Sequence, residues 1–291
     1  MKKKIVILGS TGSIGKTSLN ILKKNLNEFN IFLLSSNSNY QSICSQINIF
    51  KPNYFIINNK KVYIKVLKKF KNNKIKIANN FNDLNLKNIK IDITISAIVG
   101  IAGLEPTIKF TSHSKKLLIA NKETIICGWH LIESRAKKNR TKIIPIDSEH
   151  FSIDQLTRNS NDRNIKKIYL TASGGPFLNK PLKYFNKIKA HHAIKHPKWK
   201  MGKKISIDSS NLMNKVLEQI EAYRLFPFQR EKYQIIIHPQ SMIHAIVIFK
   251  NGQTKFLYHE TDMKIPIANA IFENNFTEKN FINTNKNILK E

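Results

Sequence analysis

Short apolar runs alternate with helical patterns through the first half of the chain. Almost wholly apolar runs, as expected of strands buried in a parallel sheet, occupy residues 5–8, 31–34, 54–57, 92–98, 117–120 and 143–146. Helical periodicity follows the first run and recurs at residues 40–50, at residues 62–70 and after Glu105 or Pro106. This alternation predicts an α/β fold, a Rossmann-like doubly wound parallel sheet.

The pattern changes after His150. Strands are predicted at residues 168–171, 235–237, 242–249 and 255–258, with Asn251-Gly252 as a hairpin signal. A helix is predicted to open at residues 208–211 and to run to Phe226. Its core-facing positions are predicted to be Leu212, Val216, Ile220 and Tyr223. The domains predicted are therefore residues 1–147, a Rossmann-like nucleotide-binding domain, and residues 148–271, an α+β catalytic domain, with residues 272–291 as an unstructured tail.

A glycine-rich turn joins the first strand to the first helix. It reads Gly9-Ser10-Thr11-Gly12-Ser13-Ile14-Gly15. Glycines allow a tight turn and close backbone approach to a pyrophosphate, and the helix N-terminus supplies N–H donors. This context favours a dinucleotide site. Residues 35–39, after the second strand, contain neither an acid for a ribose 2′-OH nor a cation for a 2′-phosphate.

Asp147 and Glu149 follow the strand at residues 143–146. If the chain stays extended, alternation points both carboxylates the same way. A lone Asp-x-Glu is usually a solvated loop, but Glu218 adds a third carboxylate. Asn214, Lys215 and Glu218 share one helix face, although an exposed Lys–Glu pair is the usual explanation of such spacing. Three carboxylates predict a site for Mg²⁺ or Mn²⁺.

Two further segments suggest anion binding and closure. Ser173-Gly174-Gly175 could form an anion nest or a plain turn, and Ser209, at the predicted helix start, could cap the helix or meet an anion. Residues 191–204 are basic and weakly periodic, and they contain Trp199 and Met201. They predict a long loop that acts as a lid, with a basic linker as the alternative.

Composition leaves one rival class open. Lys+Arg 49 against Asp+Glu 19 gives a net charge of +30, which would attract nucleic acid. The lysines are spread along the whole chain, which favours a compositional bias and predicts no specific nucleic-acid partner. Two cysteines form no cluster and fit a cytoplasmic protein. The longest apolar stretch, residues 93–104, is too short for a membrane span.

Taken together, these segments resemble the 1-deoxy-D-xylulose-5-phosphate reductoisomerase family over about residues 4–271. Besides the glycine-rich turn, the motifs that carry the resemblance lie at residues 120–123 (ANKE), 145–150 (PIDSEH), 173–177 (SGGPF), 196–202 (HPKWKMG) and 238–241 (HPQS). Their shared order makes coincidence a poor explanation.

The resemblance implies an NADP-dependent oxidoreductase of isoprenoid precursor synthesis. It would rearrange and reduce 1-deoxy-D-xylulose 5-phosphate to 2-C-methyl-D-erythritol 4-phosphate, with NADPH and Mn²⁺ or Mg²⁺, as a homodimer. The resemblance also implies roles for particular residues. The metal ligands would be Asp147, Glu149 and Glu218, and the lid would include Trp199 and Met201. The substrate would be bound by Lys122, Ser148, Glu149, Ser173, His196, Ser209, Asn214, Lys215 and Glu218, and the cofactor by Thr11, Gly12, Ser13, Ile14, Asn37, Asn39, Asn121, Glu123 and Gly202. The residues implied to be catalytic are Lys122, His196 and the three carboxylates.

The sequence departs from the family pattern at several positions. Ser38 stands where a lysine is usual, which predicts weaker discrimination of NADPH from NADH, and Val216 replaces a usual glycine. The family continues into a helical C-terminal domain that the sequence lacks, so we expect lower stability and weak turnover. The alternatives are an inactive remnant of the same enzyme, another NAD(P)-dependent oxidoreductase or a basic nucleic-acid-binding protein.

Overall fold

Seven parallel strands form the first sheet in the computed structural model, which describes residues 2–194, 199, 202–273 and 275. The strands are β1 Lys3–Leu8, β2 Phe29–Ser36, β3 Tyr54–Ile57, β4 Lys76–Ala78, β5 Ile91–Ser96, β6 Ser114–Ile119 and β7 Lys142–Pro145. Their spatial order is β4-β3-β2-β1-β5-β6-β7. The order therefore reverses between β1 and β5, and in such sheets ligands bind outside the carboxyl ends of the strands at that point.

Six helices cover this sheet. They are α1 Ser13–Lys23, α2 Tyr40–Phe50, α3 Lys60–Lys69, α4 Leu104–Thr111, α5 Lys122–Asn139 and, from the far end of the described chain, α10 Lys264–Phe272. Asparagine side chains accept backbone N–H groups at the starts of α2, α3 and α5, which satisfies donors that a helix leaves unpaired. Ile267 and Ile271 of α10 are buried in the same core as Ile5 and Leu22.

The second sheet is mixed, with four strands. They are β8 Ile165–Ala172, β9 Tyr233–Ile237, β10 Ile243–Phe249 and β11 Thr254–Tyr258, in the order β11-β10-β8-β9. β8 and β9 are parallel and the other pairs are antiparallel. Two helices, α6 Ser148–Thr157 and α9 Met213–Leu225, contribute Ile153 and Ala222 to the core of this sheet. The predicted Rossmann-like sheet followed by an α+β unit is confirmed.

One local prediction was wrong at the centre of the chain. Asp147 and Glu149 do not share an extended segment, because Asp147 is the N-cap of α6 and Glu149 lies in its first turn. The Asp147 side chain accepts the Glu149 backbone N–H at 3.4 Å. A carboxylate is favoured at a helix start, since it satisfies an unpaired N–H and complements the helix dipole.

The predicted helix at residues 211–226 was wrong in its start and at two of its core-facing positions, whereas Tyr223 packs against the core of the second sheet as predicted. Residues 208–210 end a separate helix, α8 Lys203–Ser210, so Ser209 lies in a last turn and not at a helix start. Leu212, with φ of 62°, separates α8 from α9. Leu212 and Val216 are 42% and 45% exposed, and it is the charged face of α9 that is buried.

The predicted long loop at residues 191–204 is partly helical. A short helix, α7 Ala190–Ala193, occupies its start and α8 begins at Lys203. Residues 195–198, 200 and 201 lie outside the described residues, and with them His196 and Met201. In the part of the chain that is described, no helix is long and apolar enough to cross a membrane.

Candidate functional site

The glycine-rich turn lies at the carboxyl end of β1, beside the ends of β2 and β5. Gly9 has φ of 86°, and a Cβ there would lie 2.6 Å from the Ala97 carbonyl oxygen, so this approach requires glycine. Thr11 Oγ1 and Ser36 Oγ are 2.7 Å apart. Gly12 is the N-cap of α1 and supplies no side-chain acceptor for the first N–H groups. These donors suit a phosphate group, so the turn fits a dinucleotide.

The residues expected at the adenosine end lie one strand further along. Asn37, Ser38 and Asn39 are exposed, and Asn39 caps α2 by accepting the Ser42 N–H at 3.1 Å. The Asn59 N–H donates to the Asn37 carbonyl at 3.2 Å, which places the start of α3 beside this loop. Lys60 and Lys61 therefore lie near Ser38, a proximity that the sequence pattern did not reveal.

Asn121 fixes the start of α5. It is 3% exposed, and its Oδ1 accepts the Thr124 N–H at 2.6 Å. Its amide nitrogen donates to the carbonyls of Gly100, at 2.9 Å, and Ile98. Asn121 therefore holds the loop after β5 against α5 and orients Lys122, the next residue.

Glu123 forms an ion pair with Lys204 of α8 at 2.8 Å. Burial alone would raise the pKa of Glu123, but the hydrogen bond from Lys204 and other donors hold it below its ordinary value. Lys204 was not anticipated, and its partners lie on α5 and on its own helix, where Asp208 is 2.7 Å away. Gly202, the N-cap of α8, lines the central cleft beside this pair.

Three carboxylates meet where α6 and α9 face each other. Asp147, Glu149 and Glu218 each offer one oxygen, and these atoms all lie within 4.8 Å of one another. Glu218 is 1% exposed. Ser148, between the two acids of α6, donates its hydroxyl to Glu149 Oε2. Such a set of oxygen ligands suits Mg²⁺ or Mn²⁺.

Two lysines insert their ammonium groups among these carboxylates. Lys122 Nζ lies 2.6 Å from Asp147 Oδ2 and 3.2 Å from Glu218 Oε1. Lys215 Nζ lies 2.5 Å from both Glu149 Oε1 and Glu218 Oε2. Buried carboxylates need a positive partner, and here lysines provide it. Each of the three carboxylates faces an ammonium group and also contributes an oxygen to the converging set, so the residues fit a divalent cation.

The charges shift one another's pKa values in opposite directions. Burial would lower the pKa of Lys122, but Asp147, Glu218 and Glu221 outweigh it and raise the pKa well above its ordinary value. Burial would raise the pKa of Asp147, but Lys122 and His150 hold this pKa well below its ordinary value. Glu218 behaves differently, because burial and repulsion from Glu149 raise its pKa despite two lysine partners. Further positive charge at this point would favour ionised Glu218.

A polar pocket adjoins the carboxylates on the side of β8. Gly175 has φ of 72°, and a Cβ there would lie 2.6 Å from the Ser209 carbonyl oxygen, so the turn after β8 contacts the end of α8. Ser173, Ser209 and Asn214 all line the cleft here. Asn214 Nδ2 donates to Glu218 Oε1 at 2.5 Å, whereas its buried Oδ1 has no hydrogen-bond partner in the described part of the chain.

One cleft connects these groups. Most of the residues implied by the resemblance line it: Ser13, Ile14, Lys122, Asp147, Ser148, Glu149, Ser173, Trp199, Gly202, Ser209, Asn214, Lys215 and Glu218. Thr11, Gly12, Asn37, Asn39, Asn121 and Glu123 lie outside its lining. The nucleotide-type turn and the carboxylate cluster therefore open into the same space.

Several buried groups of the site were not anticipated. Glu221 is 2% exposed, and burial raises its pKa to about 7. The fully buried His150 lies 3.3 Å from Asp147 Oδ1, and its Nε2 lies 2.8 Å from the Glu218 carbonyl. Burial would lower the pKa of His150, but Glu221 and Asp147 raise it to about 9. Their helix positions were visible in the sequence, yet nothing there showed that they are buried.

His244 lines the cleft and stacks on a second histidine, His259. The rings of His244 and His259 lie 3.8 Å apart, and the Trp199 ring lies 5.7 Å from His244. Burial lowers the pKa of His244 to about 4 and that of His259 to about 3, so both rings are neutral near pH 7. They form an uncharged support for Trp199 above the cleft.

A glycine-rich βα turn and a carboxylate cluster that fits a divalent cation share one cleft, and together they define a metal- and dinucleotide-dependent oxidoreductase of α/β type. Sequence models of two domains match: 1-deoxy-D-xylulose 5-phosphate reductoisomerase at residues 5–128 and its C-terminal domain at residues 143–226. The reductoisomerase of Pelagibacter ubique is 48% identical over 275 residues, 94% of this chain and 71% of the relative. That of Wolbachia pipientis from Culex pipiens is 41% identical, over 99% of this chain and 73% of the relative.

Solved structures agree. A reductoisomerase crystallised with NADPH, fosmidomycin and magnesium superposes with a TM-score of 0.86 at 35% identity, covering 92% of this chain and 69% of that one. The Zymomonas mobilis enzyme in complex with NADPH superposes with a TM-score of 0.84 at 31% identity. The match covers 93% of this chain and 70% of that one. The chain belongs to the 1-deoxy-D-xylulose 5-phosphate reductoisomerase family. These matches support the enzyme and give no support to the inactive remnant or the nucleic-acid-binding protein.

Proposed function

We propose that the chain rearranges and reduces 1-deoxy-D-xylulose 5-phosphate to 2-C-methyl-D-erythritol 4-phosphate, using NADPH and a divalent cation. The observation that carries the proposal is the shared cleft, where Ser13 and Ile14 of the nucleotide-type turn face the carboxylate cluster. A hydride donor and a cation-bound substrate have to lie side by side for such a reaction. Family membership supplies the substrate.

Asp147, Glu149 and Glu218 would hold the cation. When bound, Mn²⁺ or Mg²⁺ supplies Lewis-acid polarisation of substrate oxygens, and NADPH supplies the hydride. Lys122 stays charged throughout the neutral range because its pKa is raised, so its Nζ donates hydrogen bonds and does not accept a proton. We assign it, with Ser148, to orienting the oxygens of the substrate chain.

The phosphate would occupy the pocket formed by Ser173, Ser209, Asn214 and Lys215. The first three line the cleft without contributing charge, and Lys215 is a buried cation beside them. A phosphate accepts hydrogen bonds from hydroxyl, amide and ammonium groups at once. We assign His196 to phosphate binding and Trp199 and Met201 to the substrate chain, from which they would exclude water during the hydride step.

The nucleotide would follow the carboxyl ends of β1, β2 and β6. We assign its contacts to Thr11, Gly12, Ser13, Ile14, Asn37, Asn39, Asn121, Glu123 and Gly202. Support comes from the uncapped N-terminus of α1 and from the way Asn121 and Glu123 bring α5 and α8 to the cleft. The chain would then have a nucleotide-binding domain at residues 1–147 and a catalytic domain at residues 148–271, whose last helix, α10, packs back into the core of the first sheet.

We also propose a homodimer in the cytoplasm. The outward face of the second sheet carries Phe256, which is 55% exposed, with Ile246 and Tyr169 aligned across the strands. Such an apolar face suits a second copy of the chain. Two free cysteines, Cys44 and Cys127, suit a reducing compartment. No specific nucleic-acid partner is proposed.

The test is NADPH oxidation followed at 340 nm with 1-deoxy-D-xylulose 5-phosphate and Mn²⁺ or Mg²⁺. We expect turnover that EDTA abolishes and that Asp147→Asn lowers by at least about a hundredfold. Glu133→Gln, at an exposed ion pair on α5, is the matched control and should be unchanged. Oxidation that is indifferent to EDTA or to Asp147→Asn would contradict the proposal.

A further inference from the structure

We infer that Glu221 is a positioning residue that holds the Lys122 ammonium in place when a cation occupies the neighbouring carboxylates. The inference rests on the proposed function, because it concerns the same site. Glu221 lies on α9, three residues after Glu218, and is 2% exposed. Its Oε2 lies 3.5 Å from Lys122 Nζ.

Lys122 has three carboxylate partners within the described ranges, and two of them are proposed cation ligands. These two are Asp147 Oδ2 at 2.6 Å and Glu218 Oε1 at 3.2 Å. Glu221 is not part of the group whose oxygens converge within 4.8 Å. Among the described residues, it is therefore the acidic partner of Lys122 that cation binding leaves in place.

Glu221 matters because a divalent cation and the Lys122 ammonium compete for the same carboxylates. A divalent cation and the Lys122 ammonium are attracted to the same oxygens and repel each other. Without Glu221, the ammonium has Asp147 and Glu218 as its only ion-pair partners in the described chain, and it would compete with the cation for them. With Glu221, the ammonium keeps an anionic partner in the α5–α9 interface and remains directed at the cleft that it lines.

The experiment uses Glu221→Gln, which removes the charge and preserves the shape, together with Glu221→Asp, Lys122→Met and the double variant Glu221→Gln/Lys122→Met. Mn²⁺ affinity is measured by electron paramagnetic resonance without substrate or nucleotide, so the result does not depend on turnover. Dissociation constants for NADPH, from fluorescence, show whether each variant is folded. Glu133→Gln is the surface control.

We expect Glu221→Gln to weaken Mn²⁺ binding by about tenfold, within the range of couplings measured between contacting side chains. Glu221→Asp should restore part of the loss, since it keeps the charge. In the Lys122→Met background, Glu221→Gln should weaken Mn²⁺ binding much less, because the ammonium that competes with the cation is gone. At saturating Mn²⁺, kcat should fall in Glu221→Gln while the NADPH dissociation constant stays unchanged.

Other outcomes would overturn the inference. Equal Mn²⁺ affinity and kcat in Glu221→Gln and the original chain would show that Lys122 needs no such partner. An undiminished effect in the Lys122→Met background would show that Glu221 acts on the cation directly through its charge. Parallel loss of NADPH binding and Mn²⁺ binding in both Glu221 variants would show a purely structural role. If the original chain binds Mn²⁺ but does not turn over substrate, the proposed function fails separately.

Discussion

Replacing Lys215 by methionine tests the balance of charge at the centre of the site. Lys215 Nζ lies 2.5 Å from both Glu149 and Glu218, and the three side chains are only 6%, 13% and 2% exposed. Methionine keeps most of the apolar stem and removes the charge. The variant therefore leaves two carboxylates facing each other in a poorly hydrated space, which disfavours the folded state.

The size of the effect follows from the geometry. Removing one partner of a buried pair destabilises a protein by about 3–5 kcal/mol. Repulsion between unit charges separated by 4.8 Å, the upper limit for the cluster, is about 3.5 kcal/mol at an effective dielectric constant near 20. These two figures are estimates of the same loss of stability, so they are not added together. Lys122 still contacts Glu218 in the variant, so we expect the free energy of unfolding to fall by about 3 kcal/mol, the lower end of the range.

Urea unfolding followed by circular dichroism, with EDTA or with Mg²⁺, measures this effect. Binding to the folded state at a hundred times the dissociation constant stabilises by about 2.7 kcal/mol. We expect Mg²⁺ to raise the free energy of unfolding more in Lys215→Met than in the original chain, because the ammonium that competes with the cation is absent.

Lys137→Met is the matched control. Its exposed pair with Glu133 is spaced i,i+4, and such pairs contribute about 0.3–0.5 kcal/mol. Equal loss of stability in the two variants, or equal Mg²⁺ stabilisation of Lys215→Met and the original chain, would refute the reasoning.

Three further predictions concern the cofactor, the lid and pH. Ser38→Lys should favour NADPH over NADH by about 1.5–3 kcal/mol through one added charge-assisted contact to the 2′-phosphate; unchanged dissociation constants would indicate that Lys60 or Lys61 already provides it. Amides of residues 196–202 should exchange hydrogen slowly only when a substrate analogue is bound, and equal protection in both states would exclude a lid. The pKa of His150 is raised to about 9, against about 6.5 when unfolded. In EDTA its stabilising contribution should therefore be complete below pH 6.5 and disappear as pH rises towards 9. His150→Gln should weaken the pH dependence of the unfolding free energy measured in urea. An unchanged pH dependence would show that His150 does not contribute in this way.

The sheet and the nucleotide-type turn could be predicted from the sequence alone. The last four residues of β1, Ile5 to Leu8, are buried on both faces and are all apolar, so the pattern is local. The glycine-rich turn is equally local, because the backbone itself requires glycine at Gly9. Order along the chain then places the ends of β1, β6 and β7 at one edge of the sheet, and this is where Asn121, Lys122 and Asp147 lie.

The buried face of α9 was decided by tertiary structure. Hydrophobic periodicity assigned Leu212 and Val216 to the core, whereas Lys215, Glu218 and Glu221 are buried, as is Ala222. Periodicity registers the affinity of each side chain for water, but it does not register a partner 66 or 96 residues away. Across those separations Lys215 pairs with Glu149 and Glu218 pairs with Lys122, and only these opposite charges make burial of this face favourable.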